Sequence, residues 1–390
     1  MRAMVMTGGP LAGIRVVDLT RIFSGPICGR VLADLGADVI KIEPPSGDLT
    51  RPVPPVDSDG IGVTFSHMNA GKRNICIDLK AEGAPDLVAA LADRADVLLE
   101  NYRPGVMARY GLSYEELSAR NPRLVFCSIT GFGQTGPWTH RRAHAPMMHA
   151  VAGTIELAAR LREAEPLQEI HQHGDLYAGF ISVSAVLAAL YQREHTGTGQ
   201  HLDVAMAETL VYANDQAGND LSGYDGPRDF DTWNYAVART ADGQAVSLIG
   251  NPEHMLPRWV AALGGSADDC PDQPTREEAL ALLRGLVASF STYEELAEVV
   301  ERQPLPAARI SSVAELAASD WAADRGLIAE IRPGIPVPAK PFAMGDATVG
   351  VTHRSARLGE DTRSVLADDL GLSDSEITRL IAQGAVQAAD

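Results

Sequence analysis

The sequence predicts an α/β protein with a largely parallel sheet, and three observations support that class. Compact apolar segments alternate with amphipathic ones from Gly13 to about His201, the pattern of strands connected by helices. Hydrophobic residues make up 45% of the 390 residues, enough for a core in a chain of two or more domains. No window approaches the ~18 uninterrupted apolar residues of a membrane span. We therefore expect a Rossmann-like sheet that binds its ligand at the carboxyl ends of the strands.

The first two hundred residues contain most of the predicted sheet. Strands are predicted at Arg15–Asp18, Val39–Glu43, Asn74–Asp78, Val97–Glu100 and Leu124–Ile129. Helices are predicted between them at Gly25–Leu35, Ala84–Arg94 and Tyr114–Arg120. Ser113 is a suitable N-cap for the last of these helices. A long apolar helix, Leu176 to about Tyr191, ends before Gly197 and Gly199 and is followed by a strand at Gln200–Val204.

Composition changes after residue 216, which we take as the end of a large domain, residues 1–216. Residues 217–235 are rich in Gly, Asp and Asn and are predicted to be a linker. Residues 236–330 form a predicted smaller α+β domain with a strand at Ala245–Ile249 and helices near 253–263, 276–290 and 292–302. Residues 331–390 begin with a proline-rich extended segment and end in a helix at Asp374–Ala382.

The charge balance restricts the ligands that the protein can bind. Lys and Arg number 33 against 51 Asp and Glu, a formal charge of −18, which would repel nucleic acid and anionic membranes. An anionic ligand must therefore meet a few positioned cations. Candidates beside the predicted strand ends are Lys72, Arg73, Lys80, Arg103, Arg109, Arg141 and Arg142. Either these are solvated surface charges or they bind a phosphate-bearing ligand such as a nucleotide or coenzyme A.

The cysteines predict a reducing compartment. Cys28, Cys76, Cys127 and Cys270 are far apart and form no Cys-x-x-Cys pair. The segment Met1–Pro10 lacks a basic stretch followed by an apolar one, so no targeting signal is predicted. We expect a cytoplasmic protein.

Histidine placement raises the question of a metal site. Seven of the ten histidines fall between residues 140 and 201. His144 and His149 are five residues apart, which is not the spacing that puts two imidazoles on one helix face, and His171 and His173 alternate as in an extended segment. Ordinary polar or supporting histidines are the better interpretation, and no metal site is predicted.

Asp175 opens the predicted long helix and has two interpretations. An acidic N-cap would satisfy free backbone N–H groups and complement the helix dipole. The same position, next to Gly174, would also keep a carboxylate ionised and accessible, as a carboxylate nucleophile requires. Spacing alone favours the cap.

A glycine-rich segment, Gly131–Pro137, directly follows the strand Leu124–Ile129. Its glycines allow the backbone to approach a ligand closely, and Gly133 is therefore a candidate binding residue. The segment does not match the dinucleotide fingerprint in context, because Pro137 and no clear amphipathic helix follow it. A surface turn explains it equally well.

Taken together, the motifs resemble the class III (CaiB/BaiF) coenzyme A transferase family, which also contains the α-methylacyl-CoA racemases. The matching segments run along nearly the whole chain: Leu11–Thr20, Ser24–Pro26, Leu35–Pro45, Asn69–Arg73, Glu100–Gly105, Thr130–Gly133, Gly174–Asp175, Arg193–Gly199 and Arg357–Glu360. Many ordered segments make this resemblance specific.

The resemblance implies a Rossmann-like large domain that takes both chain ends, a small domain between them, and a homodimer of interlinked subunits. It implies that CoA or acyl-CoA binds as a substrate, with no permanently bound cofactor. The implied CoA contacts are Phe23, Ser24, Asp78, Lys80, Asn101, Arg103 and Arg109. Lys72 and Arg142 from the cation set, Tyr102 from the Glu100–Gly105 segment and Gly133 complete the candidate set.

The resemblance places the transferase nucleophile on Asp175. Its carboxylate would attack an acyl-CoA thioester to give a mixed anhydride, CoA thiolate would return to form an enzyme–CoA thioester, and a second carboxylic acid would collect the CoA. His144, with Gln134 and His149, would line the acyl pocket. The expected partners are thus an acyl-CoA, a small carboxylic acid and a second copy of the chain.

Two alternatives remain open. The racemase branch uses a histidine and an aspartate on opposite sides of the α-carbon, and His144 and Asp175 occupy those positions. The acidic residue that follows the histidine position in both branches is Ala145 here, and the racemase glutamate has no clean counterpart around Glu253. Ala145 also allows a CoA-binding protein without catalysis, against which Asp175 argues.

Overall fold

The computed structural model describes residues 8–162, 164–223, 235–303 and 305–389. Contacts divide the chain into two compact units, Met1–Ala217 with Ala323–Asp390, and Gly218–Ala322. The first unit thus takes in both ends of the chain. Residues 224–234, the larger part of the predicted linker, lie outside the described residues.

The first unit is built on a seven-stranded sheet with the order β12-β3-β2-β1-β4-β5-β6. The strands are β1 (Arg15–Asp18), β2 (Asp38–Glu43), β3 (Arg73–Ile77), β4 (Val97–Glu100), β5 (Val125–Thr130), β6 (His201–Ala205) and β12 (Val386–Gln387). All pairs are parallel except that between β12 and β3. The order reverses between β1 and β4, where a doubly wound sheet opens its ligand crevice.

Helices cover both faces of this sheet. They are α1 (Ser24–Asp34), α2 (Val63–Asn69), α3 (Ala84–Ala92), α4 (Tyr114–Arg120), α5 (Ala145–Val151), α6 (Thr154–Leu161), α7 (His173–Thr196) and α8 (Met206–Tyr212). One apolar core forms on the face covered by α3 and α4, and a second lies between the other face and helices α1 and α7. Among the described helices, α7 has the length and composition of a membrane span, yet half of that window is buried inside the protein, as in a core helix.

Helix α7 begins earlier and ends later than the sequence predicts. It starts at His173, so Asp175 lies in its first turn and is not its N-cap; Gln172 holds the cap position and its side chain makes no capping bond. The prediction of an acidic cap was therefore wrong. The helix continues through Thr196 and stops where Gly197 adopts a left-handed conformation, φ +78°.

The second unit has its own core. Strands β7 (Tyr235–Arg239), β8 (Ala245–Ile249) and β9 (Ala307–Arg309) form an antiparallel sheet, of which the sequence predicted β8 alone. Helices α9 (Ala217–Leu221), α10 (Pro252–Ala262), α11 (Arg276–Ala288), α12 (Tyr293–Arg302), α13 (Val313–Ala317) and α14 (Asp320–Arg325) follow the chain through this region. Trp259, fully buried, packs in this core with Leu256 and Leu283.

The proline-rich tail is extended, as predicted, and it pairs with itself. Strands β10 (Ile328–Arg332) and β11 (Ile335–Pro338) form a hairpin. After α15 (Thr362–Ser364) and α16 (Asp374–Ala382), β12 joins the edge of the large sheet beside β3. Ser373 caps α16 in a reciprocal arrangement with Glu376.

Candidate active site

A crevice lies at the carboxyl ends of β1, β4 and β5, where the strand order reverses. Its main cavity, of about 460 Å³, we call the Asp175 cavity. The predicted site residues that line it are Asp175, His144, Ser24, Asn101, Tyr102 and Arg103. The fold thus brings together the two predicted catalytic side chains and four of the predicted CoA contacts.

The Asp175 carboxylate lies beside two helix starts. Ser24 lines the same cavity as Asp175, and Ala145 packs against Gly174, the residue before it. Both residues are the first of their helices, α1 and α5, where backbone N–H groups have no partner within the helix. Burial raises the pKa of Asp175, while the Ser24 hydroxyl and N–H, the neighbouring His144 and the Ala145 N–H act in the opposite direction. Asp175 is thus a buried acid, 8% exposed, with polar groups of two helix starts nearby.

A glycine on α7 permits this arrangement. A Cβ placed on Gly179 would lie 2.2 Å from the Ile27 methyl carbon Cγ2 and 2.5 Å from the carbonyl oxygen of Ser24. Any side chain would therefore push α7 away from the start of α1. Because Gly179 lies one helical turn after Asp175, this close approach keeps Ser24 against the carboxylate.

The loop between β1 and α1 is fixed by Asn101, which follows β4. Its Oδ1 accepts the Arg21 N–H at 2.9 Å, and its Nδ2 donates to the Arg21 carbonyl at 2.8 Å and to Ser24 Oγ at 3.2 Å. Asn101 therefore binds both sides of one residue and reaches the hydroxyl that meets Asp175. The structure assigns it this contact within the protein in addition to its place on the cavity wall.

A second cavity, of about 220 Å³, adjoins the first at the ends of β2 and β3, and we call it the Lys80 cavity. Asp78 and Lys80 line it, and the Lys80 N–H donates to the Asp78 carboxylate at 3.1 Å. Arg21, Tyr102 and Val106 line both cavities. The two cavities therefore share one wall, and together we call them the groove.

Four predicted residues flank the groove without lining either cavity. Phe23 lies between Ile22 and Ser24, Arg109 lies in the turn Met107–Tyr110, and Arg142 is exposed beside Arg141. Gly133 is buried in a left-handed conformation, φ +81°, and its N–H donates to Thr130 Oγ1 at 3.0 Å. Each is next in sequence to a residue that lines the groove.

Lys72, predicted to contact CoA, lies away from the groove. It is 4% exposed, and its ammonium donates to Asp18 at 2.8 Å and to the Pro26 carbonyl and Asn69 Oδ1 at 2.9 Å each. All three donors are used inside the protein, and burial lowers the pKa of Lys72 to about 8. Its role is to link β1, α1 and α2, so we remove it from the CoA-contacting set.

The histidines divide into separate roles. His144 lines the Asp175 cavity. His149 is 1% exposed and does not line it; its Nε2 accepts the Gly174 N–H at 3.0 Å, and burial lowers its pKa. His173 stacks on Tyr177 with ring centroids 5.1 Å apart, and His171 lies beside it. Within the described residues, no group of three or more His, Cys, Asp or Glu side chains is placed to hold a metal ion.

The predicted acyl-pocket residue Gln134 is held by its backbone, since its N–H donates to the Asp203 carboxylate at 2.8 Å. Its side-chain Nε2 is buried without a partner among the described residues. Like His149, it does not line the cavity.

Two arginines of the Asp175 cavity lie outside the predicted contact set. The Arg21 guanidinium lies 5.1 Å from the centre of the Tyr102 ring, and that of Arg141 lies 4.0 Å from the centre of the Trp138 ring. No carboxylate of the described part of the chain forms an ion pair with either. Arg141 had been noted as a cation beside a strand end, but only the fold shows that it faces the same cavity as Asp175.

A buried acid underlies the wall that the two cavities share. Glu100, 3% exposed at the end of β4, accepts the Tyr102 N–H at 2.8 Å. Burial raises its pKa to about 7, and a hydrogen bond from Ser128 partly opposes that rise. The sequence placed Glu100 in a matching segment without giving it a role.

Comparisons with known proteins identify the family of the chain. The model of CoA-transferase family III matches residues 11–362. The succinate–glutarate CoA-transferase of Agrobacterium fabrum is 33% identical over 382 residues, covering 92% of this chain and 95% of that protein. The formyl-CoA:oxalate CoA-transferase of Streptomyces coelicolor is 31% identical over 431 residues, covering 98% and 100%. The crystal structure of a CaiB/BaiF family protein from Brucella suis superposes with a TM-score of 0.82 at 33% identity, covering 93% of this chain and all of that one.

The chain belongs to CoA-transferase family III, the CaiB/BaiF family. The resemblance inferred from the motifs is therefore confirmed, and so is the assignment of the chain as a family III CoA-transferase enzyme. The α/β class with a large, mainly parallel sheet is confirmed as well.

Proposed function

We propose that the protein moves CoA from an acyl-CoA thioester to a free carboxylic acid, with Asp175 as the covalent nucleophile. The observation that carries this proposal is the Asp175 carboxylate itself. It is buried at the wall of the main cavity beside the starts of α1 and α5, and the Ser24 hydroxyl and N–H and the Ala145 N–H favour its charged form. A nucleophile that must attack one particular carbonyl benefits from such fixed orientation.

The proposed reaction conserves the energy of the thioester. An Asp175 oxygen forms a bond to the thioester carbonyl carbon, the carbon–sulfur bond breaks, and an aspartyl anhydride and CoA thiolate result. The thiolate then attacks the Asp175 carbonyl carbon, releasing the first acid and leaving an aspartyl–CoA thioester. The incoming acid repeats both steps in reverse. A site that excludes water protects the covalent intermediates from hydrolysis.

The surroundings of Asp175 suit the second step in particular. When the thiolate attacks the Asp175 carbonyl carbon, negative charge develops on the oxygen that remains on that carbon. The N–H groups of Ser24 and Ala145 favour the charged form of the Asp175 carboxyl group. We expect the same groups to stabilise the developing oxyanion.

The groove provides room for CoA beside this acid. Asn101, Tyr102, Arg103 and Ser24 are proposed to hold the thioester end, and Asp78 and Lys80 the nucleotide end, with Arg109 close by. Phe23, Gly133 and Arg142 flank these contacts. In a protein of charge −18, the arginines and lysine of this groove supply the local positive charge that phosphates require.

Arg141 supports an acid substrate with a second carboxylate. It lines the Asp175 cavity and not the Lys80 cavity, so it lies at the acyl end of the groove. Stacked on Trp138, its guanidinium keeps its edge available for a planar anion. Relatives named for succinate, glutarate and oxalate act on acids of this class.

A homodimer is part of the proposal. Four large side chains of α7, Tyr177, Phe180, Ile181 and Tyr191, are 37–71% exposed. A core helix with so much uncovered apolar surface supports coverage by a second copy of the chain, interlinked as the family resemblance implies. The proposed layout, a large domain containing both chain ends and a small domain between them, agrees with the two compact units.

One observation favours a second candidate. His144 lines the same cavity as Asp175, which suits the removal and return of a proton at the α-carbon of a 2-methylacyl-CoA. The racemase reaction makes no new thioester, so the two candidates predict different products.

The test is an incubation of the protein in heavy water with a panel of acyl-CoA thioesters and free mono- and dicarboxylic acids, followed by mass analysis of the thioesters. We expect new acyl-CoA species made from the added acid. Deuterium at the α-carbon without a new thioester would establish the racemase instead. If neither product forms, the interpretation that remains is a CoA-binding protein without catalysis.

A further inference from the structure

The loop that carries Ser24 contains an unusual backbone conformation. Ile22 has φ +70°, a left-handed conformation that a β-branched residue strongly disfavours. Gln273, in the other unit, is the one further non-glycine residue with a positive φ in the described part of the chain. Such strain persists where surrounding groups impose it, and it concentrates at functional sites.

A buried acid holds Ile22 in this conformation. Asp48 is 1% exposed, and its Oδ2 accepts the Ile22 N–H at 3.0 Å. Its other oxygen accepts the N–H and hydroxyl of Thr50 at 2.9 and 2.8 Å, which fixes the carboxylate plane. Burial opposes the ionised form of Asp48, but Lys41, Thr50 and the Ile22 N–H outweigh it, so the pKa of Asp48 is lowered.

The neighbouring residues are held at the same time. The Lys41 ammonium lies 3.6 Å from Asp48 and donates to the Thr20 carbonyl at 2.8 Å. Asn101 binds both polar groups of Arg21. Asp48, Lys41 and Asn101 thus fix consecutive peptide groups before Ser24, where α1 begins at the wall of the Asp175 cavity.

We infer that Asp48 is a positioning residue: it holds Ile22 in the left-handed conformation that places Ser24, the first residue of α1, in the wall of the Asp175 cavity. Asp48 touches neither substrate nor the reacting atoms; it acts through the backbone of the loop. The inference rests on the proposed role of Asp175. It also explains why an acid and an amine are fully buried together beneath the crevice.

The test is a double-mutant cycle on Asp48 and Ile22. Asp48→Leu should lower kcat for CoA transfer by about 10–100-fold with the KM for acyl-CoA nearly unchanged, because a small displacement of the donors suffices. Ile22→Gly is the second single variant of the cycle, and the coupling is measured against its own kcat. In Ile22→Gly/Asp48→Leu most of the lost kcat should return, because glycine adopts a positive φ without strain.

A matched control uses Asp34, a buried aspartate paired with Arg30 in α1. Ile22→Gly should not rescue Asp34→Leu. If Asp48→Leu does not fold, Lys41→Met/Asp48→Leu replaces it in the cycle, because that variant removes both buried charges and leaves neither without its partner. Additive effects of Asp48→Leu and Ile22→Gly in folded proteins would overturn the inference.

Hydrogen exchange of the peptide containing residues 19–27 separates this result from the proposed function. Asp48→Leu should increase the exchange rate at more than one amide of that peptide. In Ile22→Gly/Asp48→Leu, all but one of these amides should return to the wild-type exchange rate. If the wild-type protein transfers no CoA, the proposed function is refuted, and the exchange data still test whether Asp48 fixes the conformation of Ile22. If exchange in Asp48→Leu equals that of wild type, the positioning role of Asp48 is refuted, whatever the activity.

Discussion

The two cavities of the groove share a wall but are built differently. In the Asp175 cavity, the buried acid of α7 lies beside the starts of α1 and α5, which come from other parts of the chain. In the Lys80 cavity, the cation is exposed, and its neighbour Asp78 lies two residues away. The comparison teaches that the proposed reacting end depends on tertiary packing, whereas the proposed binding end depends on local loop structure.

This difference predicts a difference in sensitivity. Substitutions at the reacting end should change kcat strongly, because the geometry there has few alternatives. Substitutions at the binding end should change KM modestly and should depend on salt, because exposed charges are screened.

The largest expected effect is that of Asp175→Asn. The amide keeps the size of the side chain but cannot form an anhydride, so CoA transfer should fall by about 10⁴-fold or more. Affinity for CoA, measured by calorimetry, should stay within a few-fold of wild type. Because burial disfavours the ionised acid, the variant should also show a higher thermal midpoint at neutral pH. Transfer above one tenth of the wild-type rate would contradict the assignment.

The next effect concerns Arg141→Met. Losing a charge-assisted hydrogen bond should raise the KM for succinate about 10–100-fold. The KM for monomethyl succinate, which lacks one charge, should hardly change. Arg94→Met, a change of an exposed arginine that lines neither cavity, is the matched control. Equal effects on the diacid and its half ester would remove Arg141 from the acyl end of the groove.

A smaller effect is expected for Lys80→Ala. The exposed ammonium should contribute about 2–5-fold to the KM for acyl-CoA, with kcat unchanged. Raising the salt concentration should reduce the difference from wild type. Lys340→Ala, which changes a lysine outside both cavities, should behave as wild type. A loss of kcat in Lys80→Ala would mean that the two ends are not separate in function.

The smallest effect on activity is expected for the shared wall, where Glu100→Gln tests its electrostatics. Burial raises the pKa of Glu100 from 4.5 to about 7. Between these values the folded protein holds a proton that the unfolded chain has lost, so the free energy of unfolding falls as pH rises through this window. In denaturant unfolding, the free energy of unfolding of Glu100→Gln should rise relative to that of wild type by up to about 3 kcal/mol between pH 4.5 and 7, with no further rise above pH 7. Unfolding free energies of the two proteins that change with pH in parallel would contradict this.

Particular residues show how far the sequence could predict the site. Asp175 and Lys80 were singled out because they lie in ordered motifs at predicted strand or helix ends, and the structure places both in the groove. Lys72 was expected beside CoA but is buried against Asp18, 54 residues away, and a buried ion pair leaves no local pattern. Arg141 was noted as a cation, but the residues that line its cavity are scattered along the chain between Arg21 and Met206. Only the fold brings them together.

The fold was predictable to a similar degree. Six strands of the large sheet, β1 to β6, were placed within one residue, since buried parallel strands are continuous apolar runs. The two-residue antiparallel strand β12 was missed. Helix α7 was cut short at its start, because His173 and Gly174 are weak helix formers and tertiary contacts decide their conformation. Strands β7 and β9 were missed, because each is short and its pairing with β8 is not local.

The most direct test of the central claim is to trap the covalent intermediate. The protein is incubated with an acyl-CoA that it accepts, quenched with borohydride and digested, and the peptide containing Asp175 is measured by mass. We expect the Asp175 carboxyl to be reduced to an alcohol only when acyl-CoA was present, and no reduction in Asp175→Asn. An unmodified Asp175 peptide in protein that is transferring CoA would contradict the account.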